Sequence, residues 1–425
     1  GVAVRGARAG ARGRGAAARG EGGACHDSGS GVECAAAVAH ATASAPRCAA
    51  RSGYDHAAAT SKDMLMRPMP TLLSAALAAA LAACSPQPGT NGGPADAAAG
   101  ADREATAPLE AVGRLTTWNA AFADVVEGDA RVEKLTADTF TWSEGPAWVA
   151  DGGYLLFNDV PENRMYRWSE PDGLSVFLEP SGYDGPPLEE LREAGANGLF
   201  AESAGSVLLA DSGSRLVARL NPGDKSRTTL ADRFGGKRFN SPNDVVARAD
   251  GAVFFTDPPY GLKEFDQSPA KELPHNGVYR IDTDGAVHLL DDSLTRPNGI
   301  ALSPDGNTLY VANSDPDHPV WIAYTLDAAG DVVERRQFAD ASDLVGDDAP
   351  GLPDGIAVAA DGTIFATGPG GVLVFAPDGT RLGRIETGSA IANCAFGDDG
   401  RTLYMTSHRF LARVRLKLAG LGFQG

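Results

Sequence analysis

The 425-residue sequence contains little cysteine, few aromatic residues and, over most of its length, few basic residues. Its five cysteines match neither the paired spacing of zinc sites nor the framework of a small disulfide-stapled domain; they are Cys25, Cys34, Cys48, Cys84 and Cys394. Aromatic residues make up 7%, whereas glycine occurs 52 times and proline 27 times. This composition excludes a coiled coil and favours a turn-rich globular protein with many short strands.

Basic residues are scarce from Cys84 onward, where 28 Lys and Arg residues stand against 50 Asp and Glu residues. Such a negative charge disfavours binding to phosphate backbones or to anionic membrane surfaces. We therefore expect no nucleic-acid partner, and a small-molecule ligand fits the charge better.

The N-terminal third contains two segments that do not belong to a fold. Residues 1–63 combine Ala, Gly and Arg without apolar periodicity, which predicts a disordered extension or translated sequence upstream of a start at Met64 or Met66. A basic nucleic-acid-binding arm is the alternative. Residues 64–83 place Arg67 before an apolar run that is too short to span a bilayer, which is typical of a signal peptide.

The signal peptide ends in Leu81-Ala82-Ala83-Cys84, which resembles the lipobox of bacterial lipoproteins. We therefore predict lipidation of Cys84 and an exported protein that is anchored by lipid at the periplasmic face of the cell envelope. The alternative is an ordinary secretory signal with a chance cysteine. Residues 84–112 are rich in Pro, Gly and Ala and are predicted to form a flexible tether.

A short sequence motif, a small turn followed by an aliphatic and aromatic run, occurs in six copies after residue 130. The copies are DGGYLLFND at 151, AGSVLLADS at 204, DGAVFFTDP at 250, DGNTLYVANS at 305, DGTIFATGP at 361 and DGRTLYMTS at 399. Spacings of about 40–50 residues are typical of propeller blades with four strands. We predict an all-β fold, a six-bladed β-propeller over residues 113–425. Strand-like residues 130–136 and 410–418 are predicted to share one blade and close the ring.

A polar residue lies eight positions before almost every turn glycine. The positions are Glu144, Asn197, Asn243, Asn298, Asp354 and Ala392, with Asn393 beside the last. If the repeats are rotationally equivalent, these side chains form one ring facing the central channel. Carboxylate and amide oxygens suit Ca²⁺ or Mg²⁺ better than zinc or copper. The alternative for each asparagine is a turn-forming role.

Four motifs in order, SEGPAWV, NSPNDVV with FFTDPPYGL, RPNGIALSPDG and LPDGIAVAADG, resemble those of the gluconolactonase / senescence-marker-protein (regucalcin-like) family. The resemblance implies that Glu144, Asn298 and Asp354 bind a divalent cation, most often Ca²⁺, with Mg²⁺, Mn²⁺ or Zn²⁺ as alternatives. It also implies that Asp354 is the general base, that Asn243 contacts substrate or a metal-bound water at the edge of the site, and that Asn197 faces substrate. The sequence departs from the pattern at Ser212, where many relatives have histidine, and in an insertion at 181–193.

The implied function is a metal-dependent hydrolase that opens the ring of sugar lactones by attack of water, a carboxylic ester hydrolase. A cation would stabilise the negative charge that develops on the carbonyl oxygen. Alternatives are a broader lactonase or esterase of the same fold, and a non-catalytic envelope propeller with structural calcium. A serine hydrolase is disfavoured because no Gly-x-Ser-x-Gly elbow occurs.

Overall fold

The structure, a computed structural model, describes residues 109–423, and its regular structure is almost entirely β-strand. The predicted segments 1–63 and 64–83, the lipidation site Cys84 and most of the predicted tether lie outside the described residues. Within residues 109–423, none of the helices is both long and apolar enough to cross a membrane.

The described chain begins with short strands that join sheets formed much later in the sequence. These first elements are β1 (Glu110–Ala111), β2 (Arg114–Thr117), a 3-10 helix (Ala120–Asp124) and β3 (Glu133–Lys134). The sheet structure thus starts at residue 110, three residues before the predicted boundary at 113.

Six antiparallel sheets then follow, one for each predicted repeat, which confirms the six-bladed β-propeller. The first blade has strands β4 (Ser143–Val149), β5 (Tyr154–Asp159), β6 (Arg164–Ser169) and β7 (Gly173–Leu178); the second has β8 (Leu199–Ala201), β9 (Val207–Asp211), β10 (Leu216–Leu220) and β11 (Arg227–Ala231). A small hairpin, β12 (Arg233–Phe234) and β13 (Lys237–Arg238), leads into the third, β14 (Val245–Ala247), β15 (Val253–Asp257), β16 (Gly277–Ile281) and β17 (Val287–Asp291).

The other three blades follow the same meander. The fourth has β18 (Pro297–Leu302), β19 (Thr308–Asp315), β20 (His318–Leu326) and β21 (Val332–Asp340); the fifth has β22 (Ile356–Val358), β23 (Ile364–Gly368), β24 (Gly371–Phe375) and β25 (Arg381–Glu386); the sixth has β26 (Asn393–Gly397), β27 (Thr402–Ser407) and β28 (Phe410–Arg415). Two more 3-10 turns span Ala150–Gly152 and Phe265–Gln267.

The N-terminal strands close the ring. Strand β3 pairs with β28, in the register Ala412 with Lys134 and Arg413 with Glu133, so the sixth blade joins both ends of the domain as predicted. Strand β1 extends this sheet through β3, and β2 adds an outer strand to the fifth blade through β25. Pairing of this kind covers strand edges that would otherwise be exposed.

The turn glycines act through backbone conformation. Gly205, Gly251, Gly306, Gly362 and Gly400 all have φ between 70° and 94°, a region that side chains disfavour. In the first copy the left-handed residue is Gly153, with φ 61°, one residue after the repeat's Gly152. The repeated motif therefore specifies the hairpin between the first two strands of each blade.

The core lies between neighbouring blades, because both faces of each sheet are covered. A sheet with only one covered face usually alternates buried and exposed residues along each strand. Strand β9 (VLLAD) is instead buried at every position. Aromatic side chains cross the interfaces, as where Trp148 of the first blade stacks on Tyr404 of the sixth with ring centroids 5.7 Å apart. Each large side chain buried in this way contributes about 1.5–3 kcal/mol.

Candidate active site

The five predicted polar residues all stand where an innermost strand begins. Glu144 and Asn298 lie in β4 and β18, and Asn197, Asn243 and Asp354 each precede an innermost strand by two residues. The backbones of adjacent blades touch here: Gly198 N donates to Asn243 O at 2.7 Å. A Cβ on Gly145 would lie 2.1 Å from the carbonyl oxygen of Asn197, so glycine permits this close approach.

Carboxylate and amide oxygens of neighbouring strands hold the loops that lead into this ring. Asp159 accepts the backbone N–H groups of Thr141 and Trp142 at 2.9 and 3.0 Å, immediately before Glu144. In the third blade, Asp257 does the same for Asn240 and Ser241 at 2.7 and 2.8 Å, immediately before Asn243. In the fourth blade Asn313 accepts from Arg296 N at 2.8 Å, two residues before Asn298.

Glu144 and Asp354 carry two carboxyl groups that interact electrostatically. Burial raises the pKa of Glu144, the charge of Asp244 raises it further, and a hydrogen bond from the Trp142 indole lowers it. Burial also raises the pKa of Asp354, and the charge of Glu144 adds to that effect. Asp354 is half-buried whereas Glu144 is 3% exposed, as expected if Asp354 is reached through the channel. Two carboxyl groups in one enclosed site favour either a shared proton or a cation.

Asn298 and Asp354 have oxygen atoms free to bind a ligand. The Nδ2 of Asn298 donates to Ser314 Oγ at 2.8 Å, which fixes the amide and leaves its Oδ1 as an acceptor. Ser314 also donates to the carbonyl of Pro353, the residue before Asp354. Within the described residues, Asp354 Oδ1 is buried without a hydrogen-bond partner. A buried acceptor of this kind indicates a site for a ligand.

These residues fit a divalent cation. Across residues 109–423 no three His, Cys, Asp or Glu side chains are grouped as a metal site. A cation would therefore depend on the amide oxygen of Asn298 as well as on the carboxylates of Glu144 and Asp354. A set made only of oxygen donors is the kind that Ca²⁺ and Mg²⁺ prefer.

Asp244 and Asn393 fill the channel one residue beyond the ring. In four blades the residue after the ring position is glycine, whereas the third and sixth blades have Asp244 and Asn393. The Asn393 side chain hydrogen-bonds to Asp244, which also accepts the N–H of Ile300 at 3.2 Å. Burial raises the pKa of Asp244 to about 7. The sequence does contain a signal for this pair, because only these two blades have a residue other than glycine at this repeat position.

A cavity of about 730 Å³ occupies the other end of the channel. Its wall is formed by the innermost strands and by turn residues such as Gly205, Gly251 and Gly306. Asp244 and Asn393 line it, whereas Glu144 and Asp354 do not. The Asp244–Asn393 pair therefore borders this cavity, and the predicted ligands Glu144 and Asp354 lie outside its lining.

Three residues near the ring carried no signal in the repeat. Trp142 donates its indole N–H to Glu144 at 3.2 Å. Tyr260 hydrogen-bonds to Ser314 and lies close enough to Asp354 for that charge to raise the pKa of its phenol. Glu193, in the insertion, is 8% exposed, and its charge raises the pKa of both Glu144 and Asp354.

Ser212, at which the sequence departs from the family pattern, has a structural partner, and so do Cys394 and His408. Ser212 is buried and donates to the carbonyl of Pro242 at 2.7 Å, so it braces the loop that carries Asn243. Cys394 is 3% exposed, and burial raises the pKa of its thiol, as expected for a small core residue rather than a nucleophile. His408 stacks against Trp142 with ring centroids 5.2 Å apart.

Comparison with known proteins identifies the family of this chain. Residues 142–409 match the family described as SMP-30/Gluconolactonase/LRE-like region. The chain belongs to this family. It is 41% identical over 314 residues to a protein named gluconolactonase from Zymomonas mobilis, covering 73% of this chain and 88% of the relative. It is also 29% identical over 272 residues to a pentonolactonase from Haloferax volcanii, covering 62% of this chain and 80% of the relative.

A solved structure of a family member has the same fold. A gluconolactonase from Xanthomonas campestris superposes with a TM-score of 0.62 at 32% identity, covering 73% of this chain and 98% of that one. The family predicted from the motifs is therefore confirmed. Family membership and the names of these relatives support the predicted enzyme class, a lactone hydrolase.

Proposed function

We propose that this family member hydrolyses sugar lactones with the help of a divalent cation, Ca²⁺ in the first instance, bound by Glu144, Asn298 and Asp354. The observation that carries the proposal is the buried, unpartnered Oδ1 of Asp354 beside a second buried carboxyl group and an oriented amide. Relatives named gluconolactonase and pentonolactonase support sugar lactones as the substrate class.

The reaction adds water to the lactone carbonyl, breaks the ring C–O bond and leaves a hydroxy acid. When bound, the cation stabilises negative charge on the carbonyl oxygen. Asp354 accepts a proton from the attacking water, and the ring oxygen gains a proton as it leaves. Asn243 and Asn197 orient the substrate beside Asp354. A lactone suits a modest base because it is more reactive than an amide.

A lactone panel assayed after chelation, with Ca²⁺, Mg²⁺, Mn²⁺ or Zn²⁺ added back singly, tests the proposal. We expect hydrolysis of sugar lactones that is lost on chelation and restored by Ca²⁺. Faster hydrolysis of aliphatic lactones or esters than of sugar lactones would indicate a broader lactonase. Cation binding without any hydrolysis would indicate a non-catalytic propeller.

We also propose that the protein is exported and anchored by lipid on Cys84, on the basis of the LAAC sequence at 81–84. Cells should contain it in the membrane fraction, and Cys84→Ala should abolish lipid labelling. Unlipidated wild-type protein with cysteine at its N-terminus would contradict the anchor.

A further inference from the structure

The insertion at 181–193 ends in a segment that is fixed against a neighbouring blade. We call residues 188–193 the mouth segment. Leu191 forms a β-bridge with Leu262, Arg192 N donates to Gly261 O at 2.8 Å, and Lys263 N donates to Glu190 O at 2.9 Å. The partner residues belong to the long connection between β15 and β16, so two loops at the same end of the propeller hold each other.

The mouth segment brings an ion pair to the end of the channel that carries the ring. Glu193 lies four residues before Asn197, and its carboxylate bonds to the guanidinium of Arg192. The Glu193 side chain is 9% exposed, whereas that of Arg192 is 44% exposed. Arg192 also lies over the ring of Phe265, with 5.1 Å between the guanidinium carbon and the ring centroid. Backbone pairing, the ion pair and this ring contact together make a rigid wall.

The wall is bonded to the loop that leads into the ring. Glu193 N donates to Gly261 O at 3.3 Å, and Gly261 N donates to Ser241 Oγ at 2.9 Å, two residues before Asn243. Tyr260 packs edge-on against Phe265 with ring centroids 6.3 Å apart, on the same ring that Arg192 covers. Its hydroxyl bonds to Ser314, which orients Asn298, so the phenol links the ion pair to the ring. A substrate whose carbonyl carbon lies near Asp354 would therefore present its other substituents to Glu193, Arg192 and Tyr260.

We propose that Glu193, held by Arg192, is a specificity-determining residue that recognises hydroxyl groups of a sugar lactone. This inference rests on the proposed function. Hydroxyl groups can donate to the carboxylate and accept from the guanidinium, so both remain paired when water is displaced. An unsubstituted alkyl ring would cover the same pair and leave it with unsatisfied polar atoms, which costs binding free energy.

Glucono-δ-lactone and δ-valerolactone test the inference because they share a six-membered ring and differ in hydroxyl groups. Both are assayed at saturating Ca²⁺ with the wild type, Glu193→Gln and the matched control Glu189→Gln, which alters an exposed glutamate of the same segment. For Glu193→Gln we expect kcat/KM for gluconolactone to fall about tenfold or more, mainly through KM, because a charge-assisted hydrogen bond is lost. The turnover of δ-valerolactone by Glu193→Gln should stay within about twofold of the wild type. The activity of Glu189→Gln toward each of the two lactones should do so as well.

An equal fall for both lactones would overturn the inference, because a change in electrostatic potential or in folding affects them alike. No change for either lactone would also overturn it. If Glu193→Gln does not fold, Arg192→Met decides, since it keeps the apolar stem and should again impair gluconolactone selectively. Absence of hydrolysis of both lactones by the wild type is a different result, which contradicts the proposed function itself.

Discussion

Asp244 of the third blade and Asn393 of the sixth are hydrogen-bonded to each other from opposite sides of the channel. Glycines of other blades make room for them. A Cβ on Gly198 would lie 2.3 Å from Asp244 Oδ1, and a Cβ on Gly355 would lie 2.1 Å from Asn393 Oδ1. Four blades have glycine at this repeat position and two have a polar side chain, so the Asp244–Asn393 pair has room to fill the channel axis.

Gly355→Ala should destabilise the fold because its methyl group would overlap the buried Asn393 side chain and lie 2.6 Å from Asn393 Cα. Overpacking of this kind typically costs about 1–3 kcal/mol. The free energy of unfolding, measured by urea denaturation, should fall by that amount. Gly128→Ala is the control, since a Cβ there meets nothing within 4 Å. Equal stability of the two variants would show that the pair moves freely.

Asp354→Asn should reduce lactone turnover by at least about a hundredfold, the lower end of what general base catalysis contributes. The change removes the proton acceptor and one negative charge while it preserves volume, so added Ca²⁺ should not restore activity fully. Asn243→Ala should weaken substrate binding and leave cation affinity nearly intact. Lactone kinetics with calorimetric Ca²⁺ titration separates the two. Near-normal turnover by Asp354→Asn would assign the base to another residue.

Ser314→Ala should weaken cation binding although Ser314 itself is not a proposed ligand. Its Oγ accepts from Asn298 Nδ2 and donates to Pro353, so it orients the amide and the loop carrying Asp354. Loss of such supporting hydrogen bonds lowers metal affinity about 10–100-fold. Calorimetric Ca²⁺ titration should show this fall, and Ser303→Ala, in an exposed turn of the same blade, should not. Unchanged affinity in both variants would contradict the orienting role.

Asp257 should make the protein less stable as pH rises from about 4 to 7. Burial raises the pKa of Asp257 from 3.8 to about 7, so the folded state retains a proton that the unfolded state releases. The free energy of unfolding of the wild type, minus that of Asp257→Asn, should therefore decrease between pH 4.5 and 7.5. Urea denaturation at several pH values measures this difference.

Asp250→Asn is the control for that experiment. Arg248 lowers the pKa of Asp250 below 3.8, so its contribution to stability is lost only in more acidic solution. The corresponding difference for Asp250→Asn should stay flat over the same range. A difference that increases with pH for Asp257→Asn would show that its two backbone hydrogen bonds outweigh burial.

The sequence by itself determined the blade number, the closing strand pair and the ring of polar residues. The blade number and the ring positions come from a local feature repeated at a fixed spacing. Left-handed glycines set the hairpins, and rotational equivalence puts Glu144, Asn298 and Asp354 where innermost strands begin. Repetition converts a local pattern into a global one because each blade packs mainly on its neighbours.

Only the tertiary structure decided which other side chains enter the channel. Glu193 lies in an insertion with no counterpart in the repeat, and it comes to the end of the channel that carries the ring because residues 188–193 pair with the connection after β15. Trp142 and Tyr260 likewise depend on loop conformations set by long-range contacts. The Asp244–Asn393 contact joins residues far apart in sequence, and such a bond exists only once the ring has closed.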